Sequence, residues 1–171
     1  MQNTTNHIKR ELQLTADGSH TLFIPEMDEH YHSVNGAVQE SCHVFIEAGL
    51  HHLERGEITI LEIGFGTGLN AFLTLLDAEA CQRKIHYCSI ELYPLGTDVI
   101  ESLNYGEMLC AGRKDVFHAL HQAEWNVAVQ VTEFFELHKI QGDSNTCALP
   151  DRIDLIYFDA FAPDKQPEMW N

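Results

Sequence analysis

The chain has 171 residues, 44% of them apolar and 21% charged. That is ordinary globular composition, long enough to bury a core without staples, and it excludes a disordered tail or a fibre. Acidic residues outnumber basic ones 26 to 10, a formal charge of −16, which argues against a chain that by itself grips a phosphate backbone with clustered Lys and Arg.

No apolar run approaches the roughly 18 residues of a membrane span, and the N-terminal MQNTTNHIKR lacks the apolar centre of a secretory signal. Five cysteines without C-x-x-C spacing read as reduced, mostly buried thiols of a cytoplasmic protein.

Residues 11–24, ELQLTADGSHTLFI, alternate about Asp17-Gly18 and predict a β-hairpin. Val38, Cys42, Phe45 and Ile46 recur at helical spacing and predict a helix over 36–49 with Gly49 as its C-cap. Ile58 to Ile63 is a short apolar run of strand type. From Gly68 the periodicity turns helical through Leu69, Phe72, Leu73 and Leu76. KIHYCSIE, 84–91, is a second strand; 94–123 holds two or three helical stretches broken near Asn104 and Gly112. Residues 125–131 and 134–141 read as extended, with Trp125 and the Val127, Val129, Val131 alternation as core or sheet. IDLIYFD, 153–159, reads as a buried strand ending in an acid.

Strands alternating with helices predict an α/β fold, a parallel sheet covered on both faces, with ligands beyond the carboxyl ends of its strands. Residues 1–35 read as a β-hairpin extension to a domain spanning 36–171.

Four constellations sit at those strand ends. The first is Glu62-Ile63-Gly64-Phe65-Gly66-Thr67-Gly68-Leu69-Asn70, three alternate glycines joining strand to helix. They let the backbone approach a ligand closely, and Glu62 offers a carboxylate to an ammonium, directly or through water. The dinucleotide pattern G-x-G-x-x-G places its third glycine one residue later; E-x-G-x-G-x-G instead resembles the first motif of class I S-adenosylmethionine-dependent methyltransferases. The second is Glu91, 23 residues past Gly68, where a carboxylate accepts both ribose hydroxyls of a nucleoside. The third is Gly142-Asp143, whose acid faces the adenine amino group in the class I arrangement and also makes a good turn. The fourth is the run Asp159-Ala160-Phe161-Ala162-Pro163 continuing to Pro167-Glu168-Met169-Trp170, an acid, an aromatic and prolines in a stiff loop, comparable to the D/N-P-P-Y/F loops of amino methyltransferases. His30 with His32, and His118 with His121, have ligand-like spacing but no second pair, so no metal is expected.

Together Tyr31-His32-Ser33, Gly36-Ala37, Glu40-Ser41, Val44-Phe45, GFGTGLN, the acid of SIELYP and DAFAPDKQPEMW resemble the MnmD/MnmC-type tRNA methyltransferases, from about residue 11 to the end. The resemblance implies a Rossmann-like class I methyltransferase sheet, S-adenosyl-L-methionine as cofactor, and methylation of the aminomethyl group of wobble 5-aminomethyl-(2-thio)uridine in tRNA. It implies Asp159 as the acid that orients the amine and takes its proton, Phe161 against the uracil, and Tyr31 and Glu40 at the cofactor end. In bifunctional relatives an FAD-dependent oxidase follows; here that step falls to a separate protein acting upstream. The family pattern continues past Asn171 with further strands, so the sheet is expected to hold only about the first four of seven. The charge of −16 keeps open methylation of a different amine, and the early stop keeps open a non-catalytic remnant.

Overall fold

The computed structural model describes residues 8–161. Pro163, Pro167 and the rest of the block ending in Trp170 lie outside the described residues.

The hairpin forms as predicted, β1 (Glu11–Leu14) against β2 (His20–Ile24), and a short β3 (Glu29–His30) extends it to a three-stranded antiparallel sheet. Asp17 does more than turn the chain. Its Oδ1 accepts from the Ser19 amide at 2.9 Å and its Oδ2 from the Gln39 amide at 2.9 Å. The second bond satisfies a free N–H in the first turn of α1 (Ala37–Ser41), an N-terminal cap supplied from a distant turn.

The helix expected over 36–49 is only half regular. After α1 the chain runs as a π-helical turn over Cys42–Glu47, then a 3-10 turn over Leu50–His52. Gly49 is not a left-handed C-cap, because its φ is −105°. A glycine is needed there for closeness instead: a Cβ would sit 2.6 Å from the Phe45 carbonyl oxygen.

The main sheet contains β4 (Glu57–Ile63), β5 (Lys84–Glu91), β6 (Ala128–Thr132), β7 (Phe135–Gln141) and β8 (Leu155–Phe158), in the order β6-β7-β5-β4-β8. The four expected parallel strands are present, and β6 adds an antiparallel fifth through a tight connection to β7. Helices α2 (Leu69–Cys81), α3 (Thr97–Ser102), α4 (Tyr105–Leu109) and α5 (Lys114–Gln122) fill the predicted positions. None of the helices among the described residues is long and apolar enough to cross a membrane.

Period-2 alternation sorts each strand into two faces. Ile58, Ile60, Ile85, Tyr87, Phe135, Leu137 and Tyr157 join the helices and Leu22 in one large core. Leu61, Ile63, Cys88 and Ile90 form a smaller cluster on the other face, covered by Ile140, Cys147 and Ile153. The expectation of helices on both faces therefore fails for the described residues, since their helices all pack on one. β8 is accordingly not a buried strand: only Tyr157 is buried, whereas Ile156 and Phe158 are 55% and 42% exposed. The cysteines also depart from expectation, since Cys88 alone is buried and Cys81 is exposed.

The consequence for function lies at the carboxyl ends. On the helix-bearing face the alternation that places Ile60, Tyr87, Leu137 and Tyr157 in the core brings Glu62, Ser89, Lys139 and Asp159 next. The apolar layer gives way to a polar one where the strands end.

Candidate active site

A cavity of about 340 Å³ opens at that polar layer. Its walls come from the loop after β4 (Gly64 to Thr67), the end of β5 (Glu91 to Tyr93), the turn after β7 (Gly142 to Ser144), the end of β8 (Asp159 to Phe161), and Arg10, Tyr31 and His32 from the N-terminal part.

The glycine loop is held from four sides. Glu91 Oε2 accepts the Gly66 amide at 3.0 Å, while its Oε1 accepts the Tyr93 amide at 2.8 Å. Thr67 is clasped by two histidines: His32 Nε2 lies 2.9 Å from its Oγ1, and His121 Nε2 donates to its carbonyl at 2.9 Å. Burial lowers both imidazoles to about 4, so they are neutral at physiological pH. Gly66 has φ +51°, and a Cβ there would lie 3.2 Å from the Tyr31 ring. The missing side chain is the room in which Tyr31 lies against the loop.

Gly68 does not line the cavity. Its φ is +76° and a Cβ would come within 2.8 Å of His121 Nε2, so the third glycine lets α5 close on the loop. Glu40 is not in the lining either; its Oε2 accepts the Ser33 amide at 2.8 Å.

Glu62 also sits outside the lining, completely buried. Ser89 Oγ donates to its Oε2 at 2.7 Å, and Oε1 has no partner. Burial raises its carboxyl to about 8, with the Asp159 charge adding to the effect. Asn70 Oδ1 is a second buried acceptor without a donor, on a residue that does line the cavity and whose Nδ2 donates to Asp159 Oδ2 at 2.9 Å. Partial burial raises Asp159 to about 6, and Glu40 contributes in the same direction. Phe161 meets Tyr31 edge-on, 5.4 Å between centroids at 87°. Asp143 holds its own turn, Oδ1 accepting the Asn145 amide at 2.9 Å, with its side chain at the cavity wall.

Of the residues named from sequence, Gly64, Gly66, Asn70, Glu91, Asp143, Tyr31, Asp159 and Phe161 converge on one cavity. Glu62 supports it from below; Gly68 and Glu40 serve its frame. Arg10 and Lys139 escape the sequence reading, Thr67 enters it only as part of the glycine loop, and His32 and His121 only as histidines of ligand-like spacing. Lys139 is fully buried, donating to the His121 carbonyl at 2.7 Å with its ammonium 4.6 Å from the Trp125 centroid. A charge in the middle of FELHKIQ reads as a solvated strand face, and nothing in its spacing announces burial.

The family described as S-adenosyl-L-methionine-dependent methyltransferase matches residues 112–171. The chain also aligns over 99% of its length, at 32% identity, with the tRNA 5-methylaminomethyl-2-thiouridine biosynthesis bifunctional protein MnmC of Magnetococcus marinus, covering 27% of that protein. Over nearly its whole length the chain is similar to MnmC proteins. The MnmC of Marinomonas sp. is 29% identical over 85% of the chain and 24% of its own length. The crystal structure of MnmC2 from Aquifex aeolicus superposes with a TM-score of 0.78 at 27% identity, over 97% of this chain and 54% of that one. The chain thus spans about a quarter of the curated relatives it matches.

The cofactor of this methyltransferase family is S-adenosyl-L-methionine, and the residues present fit it. The cofactor carries a sulfonium and an ammonium; three acids, Glu91, Asp143 and Asp159, line the cavity. Asn70 Oδ1, on a residue that lines the cavity, is a buried acceptor without a donor. Gly64 and Gly66 keep the loop open, with Ile90 and Leu92 as an apolar wall beside Glu91.

Proposed function

We propose that this protein transfers a methyl group from S-adenosyl-L-methionine to the primary amine of wobble 5-aminomethyl-(2-thio)uridine in tRNA. The observation that carries the reading is Asp159: an acid at the end of the strand next to the glycine strand, tied to the glycine-loop helix by Asn70, with Phe161 two residues on in the same cavity.

Residues 1–35 act in this reading as an extension lending Tyr31 to a methyltransferase domain over 36–171. Glu91 holds the ribose hydroxyls, Asp143 the adenine amino group, Gly64 and Gly66 the backbone wall, and Asn70 with Glu62 behind it the amino-acid end. The bound cofactor supplies an activated methyl on a sulfonium, whose charge disperses during transfer, so alignment and exclusion of water do most of the work.

The amine must be neutral to attack. Asn70 occupies Asp159 Oδ2 and leaves Oδ1 to accept an amine N–H, orient the lone pair and receive the proton. A carboxylate at about 6 is ionised at neutral pH yet basic enough to share that proton. Phe161, with Tyr31 edge-on behind it, walls the uracil as aromatic side chains do with unstacked bases. An FAD-dependent oxidase acting upstream would supply the aminomethyl nucleoside in the cytoplasm.

The test is methyl transfer from labelled cofactor to tRNA bearing the aminomethyl group, against a panel of small-molecule amines. Incorporation confined to that tRNA, and abolished when the aminomethyl group is absent, is expected. The charge of −16 favours a second reading, a small-molecule amine as acceptor; incorporation into the panel with none into tRNA would establish that instead.

A further inference from the structure

The five arginines divide sharply. Arg55 and Arg152 pair with Asp154, Arg83 with Asp77 and Arg113 with Glu79, at 2.6 to 3.3 Å. Arg10 has no carboxylate partner among the described residues, yet it lines the cavity. Its hydrogen bonds go to neutral oxygens: Nε to the Tyr31 hydroxyl at 3.0 Å, Nη1 to the Ile8 carbonyl at 3.4 Å, and Nη2 to the Tyr93 carbonyl at 3.3 Å.

Three oxygens fix its plane without neutralising it. A guanidinium has five N–H donors, so one N–H on each terminal nitrogen is left over. In a chain with 26 acids, a cation unpaired with any acid among the described residues, beside a cavity lined by Glu91, Asp143 and Asp159, is available to something else. No other Lys or Arg among the described residues lines this cavity, so an anionic group entering it meets three carboxylates and one guanidinium.

We propose that Arg10 is the anion anchor of the cavity, its spare N–H groups taking an oxyanion of the bound ligand. The oxyanion is the α-carboxylate of the cofactor or a phosphate of the nucleic acid, and the inference rests on the methyltransferase reading for both. Charge-assisted hydrogen bonds of this kind are short, strong and directional. Tyr31 is part of the device: its hydroxyl holds Nε while its ring lies over Gly66, so the anchor and the glycine loop share one support.

The experiment is calorimetric titration of the full chain and of Arg10→Gln, Arg10→Lys and Tyr31→Phe. The ligands are S-adenosylhomocysteine, methylthioadenosine (which lacks the amino-acid carboxylate), and an RNA stem-loop with an unpaired anticodon. With the carboxylate as the anion, Arg10→Gln weakens S-adenosylhomocysteine at least about tenfold and leaves methylthioadenosine within about twofold, with partial rescue by Arg10→Lys. With a phosphate as the anion, S-adenosylhomocysteine is unchanged, while the RNA weakens about tenfold and its log–log salt slope shallows by about one.

Unchanged affinity for both ligands overturns the proposal. So does an equal loss on S-adenosylhomocysteine and methylthioadenosine that Tyr31→Phe reproduces, because Arg10 then acts only by holding Tyr31. Melting without ligand identifies a misfolded Gln variant, in which case Arg10→Lys and the Arg10 Nε–H resonance of the wild-type chain on adding ligand decide. If the wild-type chain binds neither nucleoside nor RNA, the methyltransferase reading falls. Inorganic phosphate titrated against the same resonance then tests the anchor, and no shift overturns it.

Discussion

Asn70 Nδ2 donates to Asp159 Oδ2 at 2.9 Å, joining the second residue of α2 to the residue that follows β8. The bond crosses from the glycine strand's helix to the neighbouring strand, so the loop that shapes the cofactor wall and the acid assigned to the substrate cannot move independently. It also commits one of the two oxygens of Asp159.

Asp159→Asn is expected to cost at least about 10²-fold in methyl transfer at neutral pH, with near-normal affinity for S-adenosylhomocysteine. The wild-type rate should rise as pH passes through about 6, where this carboxyl ionises; the variant should lack that limb and regain part of its rate at high pH as the amine loses its own proton. Stability moves the other way. A carboxyl raised on folding favours the native state while protonated, and that contribution is lost as pH climbs from about 4 to 6. The asparagine variant should therefore melt higher than wild type above pH 6, by about 1–2 kcal/mol. Normal turnover, or lost cofactor binding, would make Asp159 structural.

His121 reaches Thr67 from α5 and can be tested by shape against chemistry. Phenylalanine fills the same space between Phe65 and Phe117, whose rings lie 5.4 and 4.9 Å from the imidazole, but donates nothing. Glutamine presents an N–H at similar reach. His121→Phe should speed amide exchange over 64–68 and weaken cofactor binding about tenfold, and His121→Gln should restore most of both. Equal behaviour of the two variants would mean that the donor is irrelevant and only packing counts.

The strands and helices were readable because their signals are local. KIHYCSIE alternates and stops at a carboxylate, and the observed strand has the same limits. The π-helical turn after α1 was not readable, because Val38, Cys42, Phe45 and Ile46 suit an α-helix equally well; the tertiary fit of Ile46 and Leu50 in the core decides. The exposed face of β8 escaped for a related reason: a run of apolar residues tells how a strand is made, not what covers it. In the site, the acids were found because each ends a strand. Arg10 was not, and His32 and His121 showed only ligand-like spacing, since their partners Tyr31, Thr67 and the Tyr93 carbonyl are brought near only by folding.

Gly66 tests the loop itself. Alanine there meets two separate penalties, a left-handed φ of +51° and a Cβ 3.2 Å from the Tyr31 ring. The backbone part is worth roughly 1 kcal/mol; the steric part must be relieved by shifting Tyr31, which would pull its hydroxyl from Arg10. Gly66→Ala should lose about 1–2 kcal/mol in chemical unfolding and bind the cofactor poorly. Adding Tyr31→Ala should recover the steric share of the stability and none of the backbone share. Full recovery would show that φ at this position carries no cost, and no recovery that Tyr31 is not what the glycine accommodates.

Glu62 gives the most discriminating test, because its chemistry separates from its shape. Burial holds its carboxyl at about 8 in the folded chain against 4.5 ordinarily. Between those values the native state binds a proton that the unfolded state has released, so stability falls with rising pH across the window and levels off above 8. Asp159 contributes a fall of the same sign only up to about 6; above 6 Glu62 acts together with His86, whose imidazole is raised by Glu136 and Glu57, and the Gln variant isolates the Glu62 share. Glu62→Gln should remove that share of the slope in urea unfolding, leaving the variant more stable than wild type at pH 8 by about 1–3 kcal/mol. The same proton reports on ligand binding. A cationic cofactor near Glu62 Oε1, the acceptor without a donor, would favour the carboxylate and expel the proton. Calorimetry at pH 7 in two buffers of different ionisation enthalpy should then find up to one proton released per S-adenosyl-L-methionine bound by wild type and none by Glu62→Gln. If the two proteins release protons equally, Glu62 does not sense the ligand's charge, and its role ends with the hydrogen bond from Ser89.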